Sequence, residues 1–555
     1  MRRLLVRIGP IPMFSSSEAY APGRASGAGL ARMVPAAILA LGAVLFAVNL
    51  WRNRFFLHDD AFISLRYARN FAEYGELSWN LGDRVEGYTN FLYVLISSGL
   101  LRLGLDPVLA LRLINAAAVA LLVAGVVYGL RALFPERRGV QAFGLALILG
   151  NVSAAVWLVG GLEAPLAAGF VTWGMVFLLQ AMADDGSDTG NGRGTEHETG
   201  HGVSDSILAG SFFALAVLTR PDGVVVVAAA FVAFLVAARG SGRSRLLKAL
   251  VIAGIPFAVA AIHMGWRMAY YGDLVPNTFH AKVGLDLAHR LGKVGAYLLK
   301  SALLYLPVLA CGGLGLLAAA AQGRLTRVIC VLATVCAAFL LYVVWSGGDH
   351  MAAARVLLPV SGPAALLAAA ALAAMRPPYA RGFAALCLGL LVAAAVNARS
   401  FRMDWAAFNG IIVGRYIEQA WPQDSLVALN TAGSTPFFAP SHRYIDMLGL
   451  NDRTIATRAN VPKLARRQAM PGHGKGDGAY VLSRAPGYVI LGGAEGIAVT
   501  EARNWFLTGV ELSQLPEFSE CYRKRTVSLE VPADMARFRP GAGPIPFTFY
   551  VRVCV

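Results

Sequence analysis

The sequence predicts an α-helical polytopic membrane protein of about eleven spans that carries a C-terminal α/β domain. Three observations lead there. The chain of 555 residues is 57% hydrophobic and only 15% charged, with a mean hydropathy of +0.57, whereas soluble domains average roughly 45–50% apolar and 25% charged residues. Eleven apolar runs recur through residues 33–397, many of them near the roughly 20 residues that cross a bilayer. Beyond residue 398 the apolar runs shorten, turn residues rise and β-patterned segments appear.

Residues 1–32 are basic and rich in Gly, Ser and Pro. They lack the apolar core of a signal peptide and read as a disordered cytoplasmic tail. The module that follows, 33–397, opens with a span at about 33–50 and an outer loop at 52–108. A basic-aromatic collar, Trp51-Arg52-Asn53-Arg54-Phe55-Phe56, leads to the adjacent pair Asp59 and Asp60. Carboxylates at a membrane boundary are costly, and their default reading is functional; capping of the next helix is the structural alternative.

After the pair, Arg66, Arg69 and Glu73 recur at helical spacing beside the stripe Phe62, Leu65, Ala68 and Ala72. The pattern predicts an amphipathic helix along the membrane surface. Its basic stripe fits lipid headgroups or a bound phosphate, for which guanidinium offers planar bidentate donors. Residues 79–90 are polar, aromatic and glycine-bearing, the composition of a sugar-binding loop, with Asn80, Arg84, Glu86, Tyr88 and Asn90 as its candidate contacts. The run 91–103 is too short to cross and reads as an interfacial or re-entrant helix.

Further runs fall at 109–131, 139–159, 162–183, 206–219, 223–238, 249–269, 297–319, 326–346, 354–374 and 380–397. Placing the basic connections around Arg137, Arg243, Arg324 and Arg376 inside puts the N-terminus inside and the C-terminus outside. The polar insertion 184–205 then lies in the cytoplasm, and its His197 and His201 read as low-complexity spacer rather than metal ligands. The outer face collects the Asp pair, Glu163, Arg220 with Asp222, the segment with Asn277, His280 and Lys282, and the segment running through Asp349, His350 and Arg355. A helix cap at Glu163, a turn ion pair at Arg220 and interfacial anchoring by Lys282 and Arg355 are the structural alternatives. The inner face holds only basic turns, so chemistry is expected outside.

The net charge of +16, from 49 Lys and Arg against 33 Asp and Glu, fits cytoplasmic-loop bias and attraction to anionic lipid. No nucleic-acid motif accompanies it. Residues 398–555 read as a soluble extracytoplasmic domain with strands near 425–429, 487–491 and 547–553. Cys521 and Cys554 are its only cysteines, a candidate disulfide if the domain is outside. Cys311, Cys330, Cys336 and Cys387 fall in apolar runs as packing residues. No cofactor or metal-ligand set is identified, and a divalent-cation requirement is left open.

One mechanism unites carboxylates, basic groups and a membrane boundary. A carboxylate deprotonates an acceptor hydroxyl, which attacks the anomeric carbon of a lipid-phosphate sugar. Arginine and lysine neutralise the departing phosphate. A transporter of lipid or polysaccharide is the alternative, but it predicts charges spread through the spans, and here they cluster at one boundary.

Four segments carry a resemblance: HDDAFISLRYARNFAEYGELSWNLGDRVEGYTNFLY (58–93), YYGDLVPNTFHAKV (270–283), GGDHMAAARVLLPV (347–360) and YIDMLGLND (444–452). In this order they resemble the polytopic glycosyltransferases of the GT-C class, most of all the mycobacterial-type terminal β-(1→2)-arabinofuranosyltransferases and their wider bacterial relatives. The resemblance implies a multi-pass protein of the bacterial inner (plasma) membrane, a polyprenyl-phosphate sugar donor and an envelope glycan or lipid-linked acceptor. It implies inverting transfer on the extracytoplasmic side beneath a C-terminal outer domain, with arabinofuranose as the leading sugar. It also implies a catalytic acidic residue in the first outer loop, where Asp59 is the favoured base and Asp60 its support.

Overall fold

The computed structural model describes residues 27–183, 196–239, 241–282, 294–299, 306–349, 351–462, 474–502 and 506–554, with single positions 292, 301 and 304. Each of the eleven apolar runs contains a helix. Among the described residues eight helices are long and apolar enough to cross a membrane: Met33–Asn53, Pro107–Leu133, Ala164–Ala183, Gly202–Thr219, Gly242–Tyr271, Arg327–Ser346, Ala352–Ala374 and Pro377–Asn397. A ninth candidate is the pair Arg138–Leu149 and Val152–Gly160, bent by 45°. The bend has a local cause: Asn151 leaves the helix and its side chain caps the second half by accepting from the Ser153 N–H. The runs at 223–238 and 297–319 appear as the shorter helices Gly223–Ala237 and Val308–Ala321, and the run at 91–103 as Phe91–Arg102.

The C-terminal domain is built on a five-stranded sheet of order β2-β1-β3-β5-β4. The strands are β1 (Leu426–Leu429), β2 (Arg443–Asp446), β3 (Tyr488–Ile490), β4 (Tyr522–Leu529) and β5 (Ile545–Arg552). β1 runs parallel to β2 and β3, with Leu429 opposite Asp446 and Ile490; β5 is antiparallel to β3 and β4. β1 (Leu-Val-Ala-Leu) and β3 (Tyr-Val-Ile) are apolar and mostly buried, as strands inside a parallel sheet require, whereas β2 at the edge begins with the exposed Arg443. Ala428, Ile445, Val489 and Tyr550 form one core with helical neighbours such as Val481 and Leu512. Cys521 and Cys554 are joined in a disulfide that ties the start of β4 to the chain end.

The helix after the first span, Asp60–Tyr74, forms as expected, but it packs under protein rather than lying free along a surface. Nine of its residues, Arg66 among them, are buried. The helix is roofed by the C-terminal domain: Phe62 packs on Phe437 and Phe438. Both of its stripes therefore meet protein, which the sequence pattern alone could not distinguish from one stripe meeting lipid. The junction is pinned near the collar, where the Asp404 N–H donates to the Leu57 carbonyl at 2.9 Å and the Phe401 N–H to Asn53 Oδ1 at 2.7 Å.

Candidate active site

A cavity of about 440 Å³ lies where the outer loop meets the domain, and Asp59 and Asp60 both line it. Its other walls are Phe56, His58, Ile63, Met351 and Ala352 on the helical side, Arg402, Asp404 and Ala406 on the connecting segment, and Asn430–Ala432, Leu448, Leu450 and Gly492 on the domain side. The last set comes from the loops directly after β1, β2 and β3. Carboxyl ends of parallel strands are where open α/β sheets bind ligands, and here that crevice closes over the Asp pair.

Asp59 is 6% exposed and precedes the helix without capping it through its side chain. Its Oδ1 accepts both the Ser434 N–H, at 2.9 Å, and the Ser434 hydroxyl, at 2.6 Å. Gly433 lies so close to Asp59 that an added Cβ would overlap its carbonyl and its carboxylate, so only glycine fits. Burial pushes the Asp59 carboxyl up to about 6; the Ser434 hydrogen bonds pull it back, and the nearby charges of Asp404 and Asp60 add to the rise. Asp60 is more open, with its side chain 38% exposed and one carboxylate oxygen 3.7 Å from His58 Nδ1.

His58 links two of the carboxylates. Its Nδ1 accepts the Asp60 N–H at 3.2 Å, and its Nε2 lies 3.9 Å from Asp404 Oδ2. Asp404 also caps the Trp405–Ala420 helix by accepting from Ala406. Gly161, with φ of +84°, brings its turn within 2.9 Å (as an added Cβ would measure) of Ala61 and Leu57, and the neighbouring Gly160 carbonyl accepts from His58.

The other candidate residues divide into three groups. Glu163, Arg220, Asn90, Asp349 and Arg355, from four separate loops, converge on one network. Glu163 Oε1 meets Arg220 at 2.7 Å and Arg355 at 3.8 Å, its Oε2 accepts from Asn90 at 3.1 Å, and Arg220 and Arg355 also pair with Asp222 and Asp349. Arg355 lies over the Trp157 ring, and Trp157 also neighbours His58 on the cavity wall, so one aromatic residue touches both the network and the cavity lining.

The second group fastens the loop after the first span, either to the C-terminal domain or, for Glu86 and Tyr88, to the helix Gly242–Tyr271. Arg66 donates to the carbonyls of Trp79, Pro436 and His442, and Arg69 to that of Phe437. These guanidinium groups are thus committed to backbone rather than held toward a phosphate. Asn80 pairs through both amide atoms with the Tyr444 backbone, and Asn277 donates to the carbonyls of Gly449, Leu450 and Asp452. Glu86 pairs with Arg267 at 2.5 Å, with burial pushing its carboxyl up to about 7, and the Tyr88 hydroxyl meets that of Tyr271.

The third group lies at the periphery. Arg84 is exposed over the Tyr270 ring, His280 pairs with Asp273, and Lys282 is exposed at a helix end. His350 lies outside the described residues. No group of three or more His, Cys, Asp and Glu gathers as a metal site among the described residues. His197-Glu198-Thr199-Gly200-His201 has the spacing of a zinc-binding helix, but its side chains lie outside the described set.

Sequence reasoning missed His58, Arg402, Asp404, Asn430 and Ser434. A histidine beside an acidic pair was a visible signal for the first, and an Asp before a helix for the third. Arg402, Asn430 and Ser434 carry no local signal, because only the tertiary fold brings them within reach of residue 59.

Three comparisons bear on this arrangement. A family described as a domain of unknown function, DUF8728, matches residues 400–537. A terminal β-(1→2)-arabinofuranosyltransferase of Mycobacterium tuberculosis is 30% identical over 256 residues, which are 43% of this chain and 37% of that relative, so the chain matches little more than a third of its length. Among solved structures, an oligosaccharyltransferase from Archaeoglobus fulgidus aligns with a TM-score of 0.48 at 14% identity over 73% of this chain and 63% of that one. ArnT from Cupriavidus metallidurans in the apo state aligns with a TM-score of 0.50 at 12% identity, covering 95% of this chain and 99% of that one. The likeness to ArnT runs through helices and C-terminal domain alike, and the architecture is the GT-C-type fold, a polytopic helical bundle capped by a small C-terminal α/β domain.

Proposed function

We propose that the protein is a membrane glycosyltransferase that moves a sugar, arabinofuranose first among candidates, from a polyprenyl-phosphate carrier to an envelope glycan or lipid-linked acceptor. The observation that carries this reading is the cavity holding Asp59 and Asp60 between the membrane-side loop and the strand ends of the domain. The partial likeness to the mycobacterial arabinofuranosyltransferase supports the choice of reaction and of sugar.

In this reading Asp59 is the general base. Its carboxylate takes the proton of the acceptor hydroxyl as that oxygen forms its bond to the anomeric carbon. The bond from that carbon to the phosphate oxygen breaks, and the carrier leaves as the polyprenyl phosphate anion. A single displacement of this kind inverts the anomeric centre. A carboxyl raised to about 6 is ionised at neutral pH yet basic enough to share the proton in the transition state. Ser434 holds Oδ1, which leaves Oδ2 for the acceptor; Asp60 and the His58–Asp404 pair orient the base. Arg402, on the cavity wall, is the cation available to the phosphate.

The extracytoplasmic placement of the domain is part of the proposal. It is supported by the basic connections on the opposite side and by the Cys521–Cys554 disulfide, a bond that persists in oxidising compartments.

The test is consumption of donor. Purified protein in lipid nanodiscs, given polyprenyl-phosphate arabinofuranose and an arabinan oligosaccharide, is expected to release polyprenyl phosphate and extend the acceptor by one inverted residue. Movement of lipid across proteoliposomes with no lipid-linked sugar consumed would establish the transporter alternative instead.

A further inference from the structure

The Asn430 amide is a polar group of the cavity with no part in the proposed proton transfer. Asn430 follows β1 directly, lines the cavity with Asp59 and Asp60, and is only 3% exposed. Its Oδ1 accepts the Gly492 N–H at 2.9 Å, a bond that ties the loop after β1 to the loop after β3 and fixes which way the amide faces. Its Nδ2 has no hydrogen-bond partner among the described residues. Buried amide donors are nearly always paired in native structures, so one without a partner, on a residue that lines a cavity, calls for an acceptor atom that the cavity's occupant supplies. Thr431, the next residue, lines the same wall.

Position selects which reactant that is. The donor's sugar is held by a lipid chain and reaches the Asp pair from the helical bundle. Asn430 stands on the opposite wall, on the strand ends of the domain, where a soluble or extended glycan would approach. We infer that Asn430 sets acceptor specificity: its Nδ2 donates to a hydroxyl of the acceptor sugar and so aligns the neighbouring hydroxyl with Asp59. This rests on the transferase reading. The group recognised is a ring hydroxyl oxygen of a glycan, a neutral acceptor that an amide N–H suits and an arginine would not select.

The experiment compares wild type with Asn430→Asp, which can still accept from Gly492 but has lost the N–H donors, and with Asn430→Ala. The donor is polyprenyl-phosphate arabinofuranose; the acceptors are a synthetic octyl oligoarabinofuranoside and its monodeoxy analogues. Measurements are made at pH 8, where Asp59 is ionised, and hydrolysis of the donor to water is followed in parallel. Both variants should raise the acceptor KM at least tenfold while donor KM and the hydrolysis rate stay within twofold. One monodeoxy analogue should be a poorer acceptor than the parent for wild type and no poorer for Asn430→Asp.

An unchanged acceptor KM overturns the inference. So does a penalty for every deoxy analogue that persists in the variants, or a parallel loss of donor hydrolysis, which would mark a structural role. If wild type itself consumed no lipid-linked sugar by either route, the transferase reading would be the one to fail.

Discussion

Ser434 donates both its backbone N–H and its hydroxyl to the same carboxylate oxygen of Asp59, at 2.9 and 2.6 Å. A residue of the C-terminal domain thus holds a residue of the loop after the first span, 375 positions away. The domain does more than cover the cavity: it sets the orientation and the basicity of the group proposed as the base. The two bonds favour the charged carboxylate and oppose the burial that disfavours it.

The pH profile follows from this balance. Asp59 must be ionised to accept a proton, so kcat/KM should fall about tenfold per pH unit below about 6. Ser434→Ala removes a hydrogen bond to the charged form, of the order of 1.5–3 kcal/mol, and should move the acidic limb upward by about one pH unit. The check is a pH series on both proteins; a limb that stays in place separates Ser434 from the base. The sign for stability is opposite, since a carboxyl raised from 3.8 to about 6 on folding favours the fold at low pH and loses that contribution as pH rises through about 6.

Arg66 is predicted to act on domain docking and not on the donor phosphate. Arg66→Met leaves the carbonyls of Trp79, Pro436 and His442 without their buried donor and should cost about 3 kcal/mol. Thermal unfolding in detergent checks the loss, and donor KM at a permissive temperature should remain within threefold. A large rise in donor KM with unchanged melting would return Arg66 to the phosphate.

Glu163 is the hub of the buried network, facing Arg220 and Arg355 at 2.7 and 3.8 Å. Glu163→Ala leaves a buried guanidinium short of an anion and should destabilise by about 3–5 kcal/mol. Asn90→Ala, which removes a neutral amide donor from the same carboxylate and its bonds with Ser64 but leaves the ion pairs intact, should cost about 1–3 kcal/mol. Equal losses from the two would contradict the ordering.

The disulfide supplies a test of both stability and sidedness. It closes a loop of sequence separation 33, so Cys521→Ala with Cys554→Ala should lower stability by about 3–4 kcal/mol. In intact cells, an impermeant maleimide should label a cysteine introduced at exposed Arg523 without permeabilisation and one introduced at 190 only after it. The reverse pattern would invert the proposed topology.

Much of this fold is legible in the sequence because burial in lipid demands long apolar runs, and each run contains a helix. The strands at 426–429, 488–490 and 545–552 were readable as short apolar or aromatic runs bounded by turn residues. The Asp pair stood out because carboxylates beside a span are costly. What the sequence could not reveal is partnership. Arg66, Arg69, Arg220 and Arg355 look alike as isolated cations at one boundary, yet the first two bind carbonyls of the domain and the last two bind buried carboxylates. That difference is set by contacts as much as 376 residues apart. Ser434 and Asn430 lie beyond local reading for the same reason, since their chemistry comes from which loop the sheet places over residue 59.

The central claim is that a carboxylate in this cavity activates the acceptor, and single-turnover transfer from polyprenyl-phosphate arabinofuranose tests it most directly. Asp59→Asn, nearly isosteric and still able to accept from Ser434, should slow transfer by about 10²–10⁴-fold with donor binding retained, and Asp60→Asn should slow it less. Full-rate transfer by both variants would contradict the account.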